Sequence, residues 1–410
     1  MIKAAQSPRV RRLFVLILLL LSAFGIQGKP VTTAGKHYPP LFPIQLKTPF
    51  PKPAGTFQEL LNLVRDNYYS DDISEQALYR AAAEGVLRYV SPPQLKDRRN
   101  LWSSQEYNQI LEALTGVQST VGIKSNFNPA DGALTVREVL PGSPAQSLLL
   151  PLDRIMRINA ESLKGKSAQE INALLRGKPG DSVRFKVVRD IHILDVEIQL
   201  EVFKASPLRT VQLPDAIAYI ALRKMAEGSA ASVLKQIQAL RGQGNQGLIL
   251  DLRGNGGGIF AEALKLAELF LPARQQVVHT LQRGGKIKSF VSGNAQPVKL
   301  KLVLLVDHKT ASAAEILAAA LQGNGRAQVV GTASFGKATL EQTFKLENDY
   351  RARFIIGALY GPGGRSWYGV GVRPDLVVNA SAKTRPAVSQ PLHERLARDP
   401  QLLAAWRLLH

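Results

Sequence analysis

Between Ile217 and Gly331 the chain alternates short apolar runs with helical stretches, and that alternation limits what it can fold into. The runs are Ile217 to Leu222, Leu248 to Leu252, Leu302 to Val306 and Gln328 to Gly331. Helical patterns follow the first three, reaching Leu240, Leu271 and Leu321. Strands separated in this way imply an α/β core. Gln342 to Leu346 and Arg351 to Leu359 then read as the paired strands of a hairpin.

Three segments at the ends of these runs carry chemistry-bearing residues. Thr310-Ala-Ser312-Ala-Ala-Glu315 leads into an alanine-rich helix, and Gly331-Thr-Ala-Ser-Phe-Gly-Lys337 follows the next run, placing Lys337 twenty-five positions after Ser312. Ligand sites of α/β sheets form at the carboxyl ends of the strands. A serine needs a base to act as a nucleophile, and a lysine can be that base where desolvation leaves it neutral. Ser312 and Glu315 also have the spacing of a helix capping box. A lysine after a glycine turn is ordinarily solvated. The third segment, Asp251-Leu-Arg-Gly-Asn-Gly-Gly-Gly258, is a glycine-rich turn between a buried-type strand and a helix. Its backbone N–H groups could face a developing oxyanion, and the turn could equally be structural. It lacks the lysine and spacing of a phosphate-binding loop.

Taken in order, these segments resemble the C-terminal processing (tail-specific) protease family, the S41 serine peptidases. Tyr360-Gly-Pro-Gly-Gly-Arg-Ser366 and Gly369-Val-Gly-Val-Arg-Pro374-Asp375 belong to the same resemblance, which runs over most of the chain after about Gly116. It implies Ser312 as nucleophile, Lys337 as general base, and an oxyanion hole formed by the N–H of Ala313 with one from Gly257 or Gly258. The chain departs from the family in three places. The residue four positions after the lysine, usually Gln, is Glu341, with Gln342 beside it; Glu341 near Lys337 would favour the ammonium, so either Gln342 substitutes as the orienting residue or the site has to rearrange. An acidic residue often found eleven positions after the serine is Gly323, and the turn has Gly256 where proline is usual. That glycine should make the turn more flexible.

Residues 120 to 203 resemble a PDZ domain. Val121, Gly122, Ile123 and Lys124 match its peptide-binding turn and strand. Leu134 to Val139, Asp153 to Asn159 and Val183 to Val188 match strands. Gly142 to Ala145 is expected to open a short helix, and Ser167 to Arg176 a helix beside the groove. Such a module adds a peptide's C-terminal strand to its sheet edge. Leu148 to Leu152 departs from the usual glycine-containing loop, and a structural β-domain without ligand is the alternative.

The amino terminus speaks to location. Lys3, Arg9, Arg11 and Arg12 precede an apolar stretch from Leu13 to Ile26, with Ala23 and Gly25 as small residues for cleavage. The stretch is short for a membrane span and fits a secretory signal; an uncleaved anchor is the alternative. The chain has no cysteine, which excludes disulfides, thiolate metal sites, cysteine nucleophiles and lipidation. Its 52 basic and 32 acidic residues give a net charge of +20. The basic residues are scattered without a nucleic-acid motif, so an anionic membrane or envelope polymer is the expected neighbour rather than nucleic acid.

The organisation expected is a signal peptide (1–28), a proline-rich linker (29–56), a helical region (57–116), a PDZ domain (117–204), a catalytic domain (205–380) and a helical tail (381–410) that packs or forms a dimer. No cofactor and no metal are expected. The function expected is an exported serine endopeptidase, in the periplasm or on the extracytoplasmic face, acting on peptides with free C-termini. Two other readings stand beside it. One is an inactive PDZ adaptor, supported by Glu341. The other is a Ser-His hydrolase, for which His308 is near Ser312 in sequence but no G-x-S-x-G elbow is present.

Overall fold

The computed structural model describes residues 49–70, 73–96, 98–115, 117–140, 142–204, 208–379, 396 and 398–410. The expected signal segment and most of the proline-rich linker lie outside the described residues. The last linker residues already belong to α1 (Pro53–Asn67), which has Pro53 in its first turn. A proline is tolerated there because the N–H it lacks would have no intrahelical partner. Helix α2 (Glu75–Tyr89) starts at Ser74, whose side chain accepts the Ala77 N–H at 3.1 Å. Pro92 and Pro93 end the helical pattern as expected, and the chain continues into β1 (Leu101–Trp102) and α3 (Ser104–Thr115). Ser103 and Glu106 exchange hydrogen bonds at the start of α3 as a capping box.

The next module is β-rich. Strand β2 (Val117–Ser119) leads into β3 (Ile123–Asn128), β4 (Ala133–Val139), β5 (Arg154–Ile158) and β6 (Glu161–Ser162), followed by α4 (Ala168–Leu174), β7 (Ser182–Arg189), β8 (His192–Gln199) and β9 (Val202–Lys204). Its sheet runs β3-β4-β5-β7-β8, with β6 on β5, while β9 returns to pair with β2. Leu134, Val136, Ile155, Ile158, Ile171, Phe185 and Ile198 fill its core. The expected short helix after Gly142 is a series of turns, closed by bonds from the Leu148 and Leu149 N–H groups to the Ala145 carbonyl.

The last and largest unit is the expected α/β core. It contains β10 (Leu208–Leu213), β11 (Ile217–Leu222), α5 (Ser229–Gly242), β12 (Gly247–Asp251), α6 (Phe260–Phe270), β13 (Gln276–Gln282) and β14 (Lys286–Val291). After these come β15 (Lys301–Val306), α7 (Ala313–Gly323), β16 (Gln328–Gly331), β17 (Thr339–Lys345), β18 (Arg351–Tyr360), β19 (Leu376–Val377) and α8 (Pro400–Arg407). One sheet has the order β10-β11-β12-β15-β16-β19, and all neighbours from β11 onward are parallel. A second, antiparallel sheet runs β1-β18-β13-β14, with β17 paired to β18.

Successive residues of β11 serve opposite faces, as strand geometry requires. Ala218, Ile220 and Leu222 face the layer of α5, α6 and α7. Ile217, Tyr219 and Ala221 face Leu402, Ala405 and Leu409 at the C-terminus. The tail therefore covers the second face of the sheet, and the central strands β11 and β12 are buried on both faces. A buried ion network fastens it there. The Arg253 guanidinium donates to both oxygens of Asp251 at 3.0 Å and both oxygens of Asp399 at 2.8 Å, and Tyr219 donates to Asp251 at 2.6 Å. Burial alone would raise the Asp251 carboxyl, but Arg253 and Arg223 hold it well below the usual carboxylate range.

Removing one member of this network should cost far more than a surface ion pair. Arg253→Met takes the guanidinium from both buried carboxylates and leaves Asp251 with only Arg223 and Tyr219, so a loss of about 3–5 kcal/mol is expected. Calorimetric unfolding checks this; a variant that melts with the parent shows that the network contributes nothing.

Candidate active site

The three segments singled out in the sequence meet at the carboxyl end of the parallel sheet. Strand β12 pairs with β15 and β15 with β16, so the turn after Asp251, the loop after Val306 and the loop after Gly331 emerge side by side. The turn from Leu252 to Gly258 is shaped by side chains acting as backbone substitutes. Asn255, wholly buried, accepts the Gly257 N–H on Oδ1 at 2.9 Å and donates from Nδ2 to the Leu222 carbonyl at 3.0 Å. Its own carbonyl accepts the Ala311 N–H at 2.9 Å, which ties the turn to the serine loop. Asp307 makes a second tie, accepting the N–H groups of Gly254 and Lys309 at 2.9 and 3.1 Å.

Ser312 stands at the start of α7 with φ 57° and ψ −118°, outside the regions that residues with a side chain prefer. Such a conformation costs about 1–3 kcal/mol and persists only where its surroundings enforce it. Gly257 lies against it at φ +92°. A Cβ at that position would be 2.7 Å from the Ala311 oxygen, 2.9 Å from the Ala313 nitrogen and 2.9 Å from Ser312 Cβ. Only glycine leaves the space in front of the Ala313 N–H open. As the first helical residue, Ala313 has no intrahelical acceptor for that N–H. Gly258, at φ +146°, packs on the Met225 carbonyl. Of the three residues implied for an oxyanion hole, Ala313 and Gly257 thus lie beside Ser312, with the Gly257 N–H already given to Asn255, and Gly258 packs on Met225.

Glu315 joins the serine to the lysine. Its Oε2 accepts the N–H of Ser312 at 2.7 Å and that of Lys337 at 2.9 Å. Its Oε1 accepts the Ser334 hydroxyl at 2.5 Å and the Gly336 N–H at 2.6 Å. The capping spacing read from the sequence is realised, and the same carboxylate also organises the lysine loop. Burial pushes the Glu315 carboxyl above its ordinary value, against four donated bonds that pull the other way. Ser334 in turn accepts the Val372 N–H at 2.6 Å, and Gly369 donates to the Gly336 carbonyl at 2.9 Å. The glycine-rich segment near Gly369 thereby supports the lysine loop.

Lys337 is largely buried, and its Nζ is 2.8 Å from Glu341 Oε1. Burial lowers its pKa to about 8; Glu341 opposes that shift, and Arg98 and Arg353 reinforce it. Glu341 also takes both its oxygens to within 2.9 and 3.1 Å of the Arg98 guanidinium and lies 3.5 Å from Arg353. Although burial works the other way, Lys337 and Arg98 hold this carboxyl below its usual range. Gln342, the residue expected to orient the lysine, is solvent-exposed. Adjacent strand residues point to opposite faces, so Glu341 and Gln342 cannot both reach Lys337. The side chain that meets Lys337 is that of Glu341.

Gly323 ends α7 against Pro362, where a Cβ would come within 3.0 Å of the ring. A larger side chain is therefore obstructed at the position where the family often has an acid. His308 is exposed, His279 is stacked on Tyr360, and His410 pairs with Asp215 at 3.2 Å. Among the described residues, no cluster of acids and histidines could hold a metal.

In the β-rich module, Gly122 has φ +80°, and a Cβ there would collide with Ser143. The carbonyls of Val121 and Gly122 accept N–H groups of Ala145 and Leu140 at 2.9 Å. Val121 donates to the Leu175 carbonyl at 3.2 Å, which ties the start of β3 to the end of α4. Ile123 is half-buried and Lys124 pairs with Glu138 at 3.0 Å. Strand β3 is the outer strand of its sheet.

Sequence reasoning took Glu315 only as a helix cap and passed over Asn255, Asp307, Ser334 and Arg98. Nothing in their spacing signals their roles. Arg98 lies far from Glu341 in the chain, and the others are small polar residues of loops.

A peptidase family S41 model matches residues 216–378, and a PDZ domain model matches residues 120–200. The chain is 30% identical over 355 residues to a carboxyl-terminal-processing protease of Synechocystis sp., covering 85% of this chain and 80% of that one. It is 25% identical over 315 residues to the carboxy-terminal processing protease CtpA of Bacillus subtilis, covering 76% and 66%. Its fold is similar to that of a solved S41 protease of Bacteroides fragilis, with a TM-score of 0.57, 14% identity, and 86% and 96% of the two chains covered.

Glu315→Gln tests the bridge. An amide has one acceptor oxygen, so in either orientation its NH2 would face two of the four donors. Loss of a few hydrogen bonds to a buried charge should cost about 2–3 kcal/mol and disorder the loop. Denaturant unfolding, with labelling of Ser312 by a serine-directed fluorophosphonate, checks both effects; normal stability and labelling would show that the carboxylate is dispensable.

Proposed function

Because the chain belongs to the S41 peptidases of the carboxyl-terminal-processing type, we propose that it is a serine endopeptidase working through a Ser312–Lys337 dyad. The observation that carries this reading is the shared Glu315 oxygen, which holds the backbones of Ser312 and Lys337 on one acceptor. The lowered pKa of Lys337 supports it, since a buried amine that gives up its proton near pH 8 can act as a base. In this reading neutral Lys337 takes the proton from Ser312 Oγ as that oxygen attacks the scissile carbonyl carbon. The carbonyl oxygen becomes an oxyanion facing the Ala313 N–H and the Gly257–Gly258 turn. Lys337 returns the proton to the leaving amine and then activates the water that hydrolyses the acyl-enzyme. Gly257→Ala would fill the space in front of Ala313.

The catalytic domain in this proposal occupies 205–380 and the PDZ domain 117–204. Substrates are peptides and proteins, and the free outer edge of β3 is suited to adding a substrate's C-terminal strand. Val121, Gly122, Ile123 and Lys124 would form the turn and strand that receive it. Export to the periplasm or the outer face of the membrane is supported by the basic and then apolar start of the chain. Among the described residues, no helix is long and apolar enough to cross a membrane. The inactive-adaptor reading rests on the Lys337–Glu341 ion pair. The exposure of His308 argues against a histidine base.

Ser312→Ala and Lys337→Ala should each abolish peptide cleavage with the fold retained, whereas His308→Ala should leave it intact. Activity of the parent should rise with pH through about 8 as Lys337 loses its proton. Glu341→Gln removes a group that favours the ammonium, so its profile should move to lower pH. A kcat/KM profile for each variant decides between the readings: retained activity in Lys337→Ala means another base, and a silent parent means an adaptor.

A second comparison addresses the PDZ domain. A substrate ending in a free carboxylate should be cut faster than its C-terminally amidated form, by about tenfold if one charge-assisted bond is lost. Equal rates would mean that the module does not read the terminus.

A further inference from the structure

A glutamate beside a general-base lysine works against deprotonation, and the geometry around Glu341 shows how that opposition is offset. Arg98 lies in the segment between α2 and β1, far from the lysine loop in sequence. That segment is docked by backbone pairing. Leu101 and Trp102 pair with Ala352 and Arg351 of β18, and the Arg353 N–H donates to the Asn100 carbonyl at 2.9 Å. Leu87, Leu101 and Ala352 form a small core beneath it. Docked in this way, Arg98 Nη1 lies 2.9 and 3.1 Å from the two oxygens of Glu341, while Lys337 Nζ lies 2.8 Å from Oε1.

We propose that Arg98 is a positioning residue of the lysine site: by binding both oxygens of Glu341 it neutralises that carboxylate, so that Glu341 orients Lys337 without holding its proton. The proposal deepens the dyad reading and rests on it. It also makes docking of the N-terminal helical region a condition for a working base, since that region delivers the arginine. Arg353 assists from β18, 3.5 Å from Glu341 Oε2, with its guanidinium 4.5 Å over the Trp102 ring.

Charged and titratable groups from several elements surround Lys337. Glu341 comes from β17, Arg98 from the docked segment and Arg353 from β18. Glu315 at the start of α7 touches the lysine backbone, and Tyr107 of α3 lies near Arg353. Of these, Arg98 and Arg353 favour the neutral amine and Glu341 the ammonium. Loss of Arg98 therefore strengthens the hold of Glu341 on the proton, and the pH at which Lys337 becomes neutral moves up. Part of the Arg98 side chain is exposed, so salt screens this effect but does not abolish it.

The test is the pH dependence of kcat/KM, which reports the free enzyme. It is measured on the full chain with a peptide substrate for the parent, Arg98→Gln, Arg98→Lys, Glu341→Gln, Arg98→Gln with Glu341→Gln, and Lys337→Ala. The profile of Arg98→Gln is expected to move to higher pH, with activity at pH 7 falling about tenfold for each unit moved. Arg98→Lys keeps the charge and should stay near the parent. In the Glu341→Gln background there is no carboxylate to neutralise and only the direct repulsion between Arg98 and Lys337 remains, so Arg98→Gln should raise the midpoint by less than it does in the parent. A lower plateau with an unmoved midpoint means that Arg98 only braces the fold, and overturns the proposal. So does an upward shift of equal size in both backgrounds. Activity retained in Lys337→Ala overturns the dyad reading itself; a dead Lys337→Ala beside an unshifted Arg98→Gln overturns only the role of Arg98.

Discussion

One buried carboxylate organises this site. Glu315 accepts four donors, three from the lysine loop (Ser334, Gly336 and Lys337) and one from the serine that begins its own helix. A carboxylate has enough lone pairs for that, and no other side chain of its length does. Burial makes the arrangement decisive. In a low-dielectric surrounding the charge is strongly disfavoured unless its donors are in place, so the donors and the charge fix one another. The strained backbone of Ser312 depends on the same constraint, because the bond from its N–H to Glu315 is one of the contacts that hold it.

Around that centre the fold supplies rigidity in layers. Parallel pairing of β12, β15 and β16 sets three loops side by side, and Asn255 and Asp307 stitch those loops together. Beneath the glycine turn, Arg253 bonds to Asp251 on the sheet and to Asp399 at the start of α8. The C-terminal helix thus braces the turn that faces Ser312. These polar groups are fully paired in a buried setting, which is the condition under which such networks stiffen a structure rather than weaken it.

The lysine is treated differently. Burial lowers its pKa to about 8, yet it is held by a carboxylate that opposes that shift. Two arginines offset the carboxylate. In the proposed dyad, orientation and basicity are thereby supplied by separate groups, where a neutral amide would supply orientation without disturbing basicity. Chemistry of this kind depends on distances of a few ångströms between segments that are remote in the chain.

Much of the architecture was legible from sequence because it follows from periodicity. Apolar runs such as Ile217 to Leu222 must be buried on both faces, and helical spacing between such runs leaves little besides an α/β sheet. Glycines at Gly257 and Gly258 and the Ser312–Lys337 spacing pointed to the carboxyl ends of those strands for the same reason. What the sequence did not contain was the side-chain contacts across the loops. Gln342 looked as suitable as Glu341 until the pleat of β17 sent one side chain inward and the other to solvent. Likewise Arg98 carries no signal of its target, since docking of β1 on β18 brings it to Glu341. Local pattern determines elements, because neighbouring residues create it; which charges meet is decided only when the sheets assemble, because Coulomb interactions depend on distance in space rather than along the chain.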